Sequence, residues 1–228
     1  MAPSSVSIEA VLFDVDGVVV ESELLHLQTF NEILEPYGLE ISENEWKTRF
    51  LGAGSAAIMT TLFEENGISD DPTPIIDQRR ILYREHVQRG DLQPIPGFIA
   101  FYESVLNARL PVAFVSTGHP VSLNAALDSL GLLGKHPVID ITQVTRTKPD
   151  PEAYLLAAQT LKVPPEDCLV FEDSPIGITA AKSAGMTCVA LTTTNPTEDL
   201  TNADLVISNF LGVSILSVSE MLGKRVKD

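Results

Sequence analysis

The chain is poor in cysteine and in positive charge, and it has no long apolar run. Only Cys168 and Cys188 occur in 228 residues, each inside a short apolar segment. That excludes a disulfide framework or a cysteine-based zinc site as the organising device and leaves two buried, reduced thiols. Fifteen Lys and Arg stand against 31 Asp and Glu, a formal net charge of −16. Such a surface repels nucleic acid and anionic membranes, both of which require basic partners. No apolar stretch reaches the roughly 20 residues needed to span a bilayer. Met1-Ala2-Pro3-Ser4-Ser5-Val6-Ser7 has no basic residue and no apolar segment of the signal type. The expectation is a soluble, cytoplasmic protein with neither nucleic acid nor membrane as partner, and nothing in the chain demands more than a monomer.

What the chain does have is short apolar runs, at Ala10–Phe13, Val112–Ser116, Val138–Ile141, Cys168–Glu172, Thr187–Leu191 and Leu205–Ile207. They are continuous rather than alternating, which predicts strands covered on both faces. After Val112 they alternate with helical segments, Val121–Leu130, Pro151–Leu161, Pro175–Ala184 and Phe210–Leu222. Strand-helix alternation of this kind gives an α/β fold with a Rossmann-like parallel sheet. From about Ser22 to Gly90 the pattern is helical throughout: Ser22 is placed to cap one helix, Ser42-x-x-Glu45 reads as a capping box, and further helices run over 55–66 and 74–89. The stiff segment Gln93-Pro94-Ile95-Pro96-Gly97 returns the chain to the sheet. The expected organisation is a core of 1–20 and 94–228 with a helical insertion over 21–93. The basic tail from Lys224 to Lys227 reads as a solvated end.

Ligands of parallel sheets sit beyond the carboxyl ends of the strands, and the chemically suggestive residues fall there. Asp14-Val15-Asp16-Gly17 closes the first run, and alternation along an extended segment turns Asp14 and Asp16 to one side. Two carboxylates so placed, one attacking and one moving a proton, suit phosphoryl transfer through a covalent aspartyl-phosphate. Ser116-Thr117-Gly118 ends the second run; its hydroxyls and backbone N–H groups can hold phosphate oxygens, and a helix cap would look the same. Lys148, in Thr147-Lys148-Pro149-Asp150, and Glu172-Asp173 complete the set. Clustered like charges need a cation. Oxygen donors of this type suit Mg2+, with Lys148 as the second positive charge.

These four elements in this order resemble the haloacid dehalogenase superfamily over essentially the whole chain, and the insertion resembles the helical cap of its β-phosphoglucomutase and sugar-phosphatase type. The resemblance implies Asp14 as nucleophile, Asp16 as general acid/base and Lys148 as the lysine that stabilises both nucleophile and phosphate. It implies Ser116 with Thr117 at the phosphate, and Mg2+ held by Asp14, the Asp16 carbonyl, Asp173 and Glu172, the last directly or through an intermediary. His26 matches a histidine near the cap hinge and Gly52 a cap-loop position facing substrate. The expected activity is Mg2+-dependent hydrolysis of a small phosphorylated metabolite, foremost a sugar phosphate. The alternatives are a mutase of the β-phosphoglucomutase type and a non-catalytic binding protein of the same fold. The mutase needs a second phosphate clamp, and Ser55 and Leu51 stand where the arginine and lysine of that clamp would lie. Arg49 could substitute in another loop register.

Overall fold

The computed structural model describes residues 7–227. Six parallel strands form the main sheet, in the order β4 (Val138–Ile139), β3 (Val112–Val115), β2 (Ala10–Phe13), β5 (Cys168–Glu172), β6 (Thr187–Leu191) and β7 (Leu205–Ile207). The chain builds outward from β2 on one side and then on the other, so the strand order reverses at β2. A crevice opens at such a point, beyond the carboxyl ends of β2, β3 and β5.

Alternation along β2 sorts its side chains between two cores. Val11 and Phe13 join an aromatic layer with Phe98, Phe101, Phe114, Phe171 and Phe210, all essentially inaccessible. Phe13 stacks on Phe171 at 5.3 Å and meets Phe98 edge-on at 5.4 Å. Phe98 and Phe101 belong to α5 (Phe98–Asn107), a helix whose apolar periodicity escaped the sequence reading. Ala10 and Leu12 face the opposite layer, where Ala153, Ala157, Ala180 and Ala181 line α7 (Glu152–Leu161) and α8 (Pro175–Ser183). Small side chains there let both helices approach the sheet closely.

The helical insertion carries a third, separate core around Phe30, Ile33, Trp46, Ile58, Met59 and Phe63. Its elements are α1 (Glu23–Leu34), α2 (Glu43–Glu45), α3 (Ser55–Glu65) and α4 (Thr73–Arg89), with α2 running straight into a π-helical turn over Trp46–Phe50. Two antiparallel linker segments join it to the sheet: Glu21 N donates to Gln93 O at 2.9 Å and Ile95 N to Val19 O at 3.0 Å.

Two local expectations change. Ser22 sits at the N-cap of α1 but makes no cap hydrogen bond, because its hydroxyl is used elsewhere. The tail is not free: β8 (Arg225–Val226) pairs in parallel with β1 (Ser7–Ile8), and Lys227 Nζ donates to Glu9 at 2.6 Å. That pairing joins residues some 218 positions apart, beyond the reach of local pattern.

Among the described residues no helix is long and apolar enough to cross a membrane. Both cysteines are buried and unpaired, and burial, with Asp167 and Glu166 adding to it, pushes the Cys168 thiol up to about 12. Since the thiolate is the reactive form, the native protein is expected to give no fast reaction with an aromatic disulfide reagent at pH 8. The same assay in denaturant should titrate both thiols of the chain. A rapid native stoichiometry of one would contradict this packing.

Candidate active site

Asp14 continues directly from β2, where its backbone N–H still donates to Phe171 O of β5 at 3.0 Å. Lys148 reaches it from the loop before α7, with Nζ 2.5 Å from Asp14 Oδ1 and 2.6 Å from Glu172 Oε1. The ammonium is buried, its side chain 4% exposed, and lies 5.0 Å from the centre of the Tyr154 ring. Glu172, at the end of β5, is wholly buried and has both oxygens in use. Oε1 accepts from Lys148 and the Tyr154 hydroxyl, and Oε2 from the backbone N–H and hydroxyl of Ser174 and the N–H of Asp173. Gly177, in the first turn of α8, lies so close that any Cβ would fall on this carboxylate. The structure thus ties Glu172 first of all to Lys148.

Asp14, Glu172 and Asp173 each offer a carboxylate oxygen within 4.8 Å of the others. Burial above all, with Glu172 and Asp16 adding to it against the pull of Lys148, raises Asp14 to about 8. Asp173 is lifted far above the usual carboxylate range by burial and then by Asp14 and Glu172. One lysine does not offset three buried carboxylates, and an all-oxygen set of this kind fits a hard divalent cation. Gly17 closes this side. Its φ of +72° and its approach to the Asp173 carboxylate leave no space for a side chain.

Asp16 differs from its neighbours in keeping an open side, its side chain 34% exposed. Burial would raise its carboxyl, but hydrogen bonds from His26 and Ser22 and the charge of Lys148 outweigh that and lower it. Ser22 Oγ donates to Asp16 Oδ1 at 2.5 Å, and His26 Nε2 stands 3.4 Å from the same oxygen. On the far side of the imidazole, Nδ1 faces Arg79 Nη1 at 3.4 Å, while the ring stacks on Tyr83 with centroids 4.7 Å apart. Arginine only donates, so His26 Nδ1 is the acceptor and Nε2–H points at Asp16.

Arg79 is 5% exposed, bonds Thr29 and Ser55 at 3.0 and 3.1 Å, and has no partner at Nε among the described residues. Neither Ser22 nor Arg79 was singled out from the sequence as a site residue. A signal for Arg79 existed: with Ile76 and Tyr83 it falls on the buried stripe of α4, where an arginine needs a reason.

Ser116 is buried at the end of β3, and its Oγ accepts from Gly118 N at 2.9 Å. The cap of α6 (Pro120–Ser129) is His119, whose Nδ1 accepts from Val121 N at 3.3 Å, so the Ser116 hydroxyl is not the helix cap. Thr117 is exposed beside it. Gly52 occupies an exposed turn with φ +74°, and its neighbour Leu51 lines the crevice. Arg49, the alternative anion ligand, is held by Glu45 and Glu65 at 2.5 and 2.6 Å. A cavity of about 230 Å3 opens between insertion and sheet beside Gly17, Ser22, Glu23, Trp46, Leu51 and Thr194. A larger groove of about 670 Å3, between α4 and α6, shares no lining residue with the carboxylate cluster.

Residues 8–185 match the haloacid dehalogenase-like hydrolase family. The chain belongs to that family. Among its relatives is a haloacid dehalogenase-like hydrolase domain-containing protein of Arabidopsis thaliana, 34% identical over 85% of this chain and 71% of that one. A phosphorylated carbohydrates phosphatase of Thermotoga maritima is 32% identical over 78% of this chain and 82% of its own length. Among solved structures, β-phosphoglucomutase from Clostridium difficile superposes with a TM-score of 0.81 at 22% identity, covering 95% of this chain and 97% of that one. At that identity the likeness concerns the fold alone. The Rossmann-like parallel sheet expected from strand-helix alternation is therefore the haloacid dehalogenase fold.

Proposed function

We propose that this hydrolase is a Mg2+-dependent phosphatase of small phosphorylated metabolites, foremost sugar phosphates, working through phospho-Asp14. The observation that carries the reading is the division of labour between the two aspartates. Asp14 is buried against Lys148, as a nucleophile that must meet a phosphorus atom requires. Asp16 keeps an open side and is oriented by Ser22 and His26, as a proton carrier requires.

Asp14 attacks phosphorus in line while Asp16 protonates the departing alcohol; Asp16 then takes a proton from the water that hydrolyses the acyl phosphate. The lowered carboxyl of Asp16 favours the second of these tasks. Ser116 and the N–H groups of the turn after it hold phosphate oxygens, and Thr117 borders the same turn. Mg2+ would be held by Asp14, Asp173 and the Asp16 carbonyl, and when bound it offsets the charge of cluster and phosphate. Glu172 acts on this site through Lys148, which it holds against Asp14. The helical insertion serves as a cap over the crevice, with Gly52 allowing the loop its turn.

Hydrolysis is favoured over a mutase because the residues that could clamp a second phosphate are committed elsewhere. Arg49 is locked between two glutamates, and Ser55 accepts from the buried Arg79. A panel of sugar phosphates with p-nitrophenyl phosphate should release inorganic phosphate in the presence of Mg2+. Release should stop with EDTA and return when Mg2+ is restored. Turnover indifferent to EDTA, or hexose 1- and 6-phosphates interconverting faster than they are hydrolysed, would overturn the reading.

A further inference from the structure

The cavity beside Asp16 has a chemistry that the steps at phosphorus leave unused. Glu23, in the first turn of α1, lines it. One carboxylate oxygen accepts from Trp46 Nε1 at 2.8 Å, and the other has no protein donor among the described residues. Trp46 is itself fixed, 6% exposed and packed on Phe30 with ring centroids 5.5 Å apart, so it presents Glu23 in one orientation. The adjoining walls are apolar, from Leu24, Leu27, Leu51 and Ile95. Of the charged groups lining the space, Glu21, Glu23 and Glu43 oppose Lys47 alone, and Lys47 pairs with Glu43 at 4.0 Å. Ser22, whose hydroxyl holds Asp16, and Gly17 border the same space. A leaving group protonated by Asp16 would therefore extend into it.

The volume of about 230 Å3 corresponds to roughly eight waters at about 30 Å3 each, room for one ring. An oriented carboxylate with a free oxygen recognises hydroxyl or ammonium donors, while the apolar walls accept the C–H faces of a saturated ring. A further anionic group there meets like charge.

We propose that Glu23, set by Trp46, forms the leaving-group subsite and selects phosphate monoesters of neutral or amine-bearing polyols against those bearing a second anionic group. The assignment rests on the phosphatase reading above and deepens it to a substrate class.

The test is phosphate release by the full chain with Mg2+ from two esters of one size and opposite second charge, glucosamine 6-phosphate and 6-phosphogluconate, with p-nitrophenyl phosphate as reference. The wild type should favour the amine over the carboxylate by about ten-fold or more in kcat/KM, and Glu23→Gln should shrink that ratio about ten-fold, chiefly through KM. Trp46→Phe, which keeps the ring and removes the N–H, should shift the ratio the same way by less. A wild type indifferent to the second charge, or a ratio unmoved in folded Glu23→Gln, overturns the assignment while leaving the phosphatase reading intact. Should Glu23→Gln fail to fold, the wild-type ratio and Trp46→Phe decide. A folded, Mg2+-supplied wild type that releases phosphate from none of the esters overturns the phosphatase reading and this assignment together.

Discussion

Asp14→Asn is expected to lower phosphate release by about 10^4-fold or more, the scale seen when a covalent nucleophile is removed. The amide keeps the shape of the carboxylate and an oxygen for Lys148, so the fold should survive. In EDTA-treated protein its Tm should rise. Asp14 is a buried acid that burial, with Glu172 and Asp16, raises to about 8 against the pull of Lys148, so holding it ionised at neutral pH costs the fold free energy. The amide removes that charge from beside Glu172 and Asp173. Activity lost with stability gained separates a functional carboxylate from a structural one. Asp16→Asn should differ in kind. Its loss should fall in the range of about 10^2 to 10^4 for a general acid or base, and acid-quenched protein should retain phosphate on Asp14 because the water of the second step lacks its base. Full activity in Asp14→Asn, or phosphate trapped on another residue, would refute the assignment.

The second large effect is expected at Lys148. Its ammonium is the only protein cation in contact with Asp14 and Glu172 among the described residues. Lys148→Met fills much the same volume but strands two carboxylates in a site where Glu172 has no exposure. Removing one partner of a buried ion pair costs about 3–5 kcal/mol, read as a lowered urea midpoint at constant m-value. Turnover should also fall by about 10^2 to 10^3, as for loss of an electrostatic stabiliser at the reacting group. Lys148→Met, unlike Asp14→Asn, should therefore lose both properties at once. If its urea midpoint matches the wild type, Lys148 is not the counter-ion described here. Lys148→Arg restores charge but not shape, since a planar fork does not fit where a single nitrogen lies within 2.6 Å of two carboxylates.

Much of the architecture was legible because it is locally encoded. A buried parallel strand needs a continuous apolar run, and each run in the main sheet lies within a residue or two of its expected place. Asp14 and Asp16 were legible for a similar reason: alternation along extended backbone places two such residues on one side whatever the rest of the chain does. Ser116, Lys148 and Asp173 stood at strand ends or loops, where a parallel sheet gathers its ligands.

The choice of partner is a different matter, because it depends on what folding brings across hundreds of residues and on how much water is left. By sequence Ser22 was a helix cap; the hydroxyl instead lies 2.5 Å from Asp16. Glu172 was expected at the metal directly or through an intermediary; in the fold it stands in the carboxylate cluster with Asp14 and Asp173 while its oxygens accept from Lys148, Tyr154, Asp173 and Ser174. Arg49 was available to an anion until Glu45 and Glu65 enclosed it, and Arg79 was one more helix charge until burial set it behind His26. The sequence by itself determined the sheet, the two-aspartate motif and the excess of acid that calls for a cation. Only the tertiary structure decided which carboxylate keeps an open side and which are sealed against lysine, because burial and distance between remote segments set the energy of a charge.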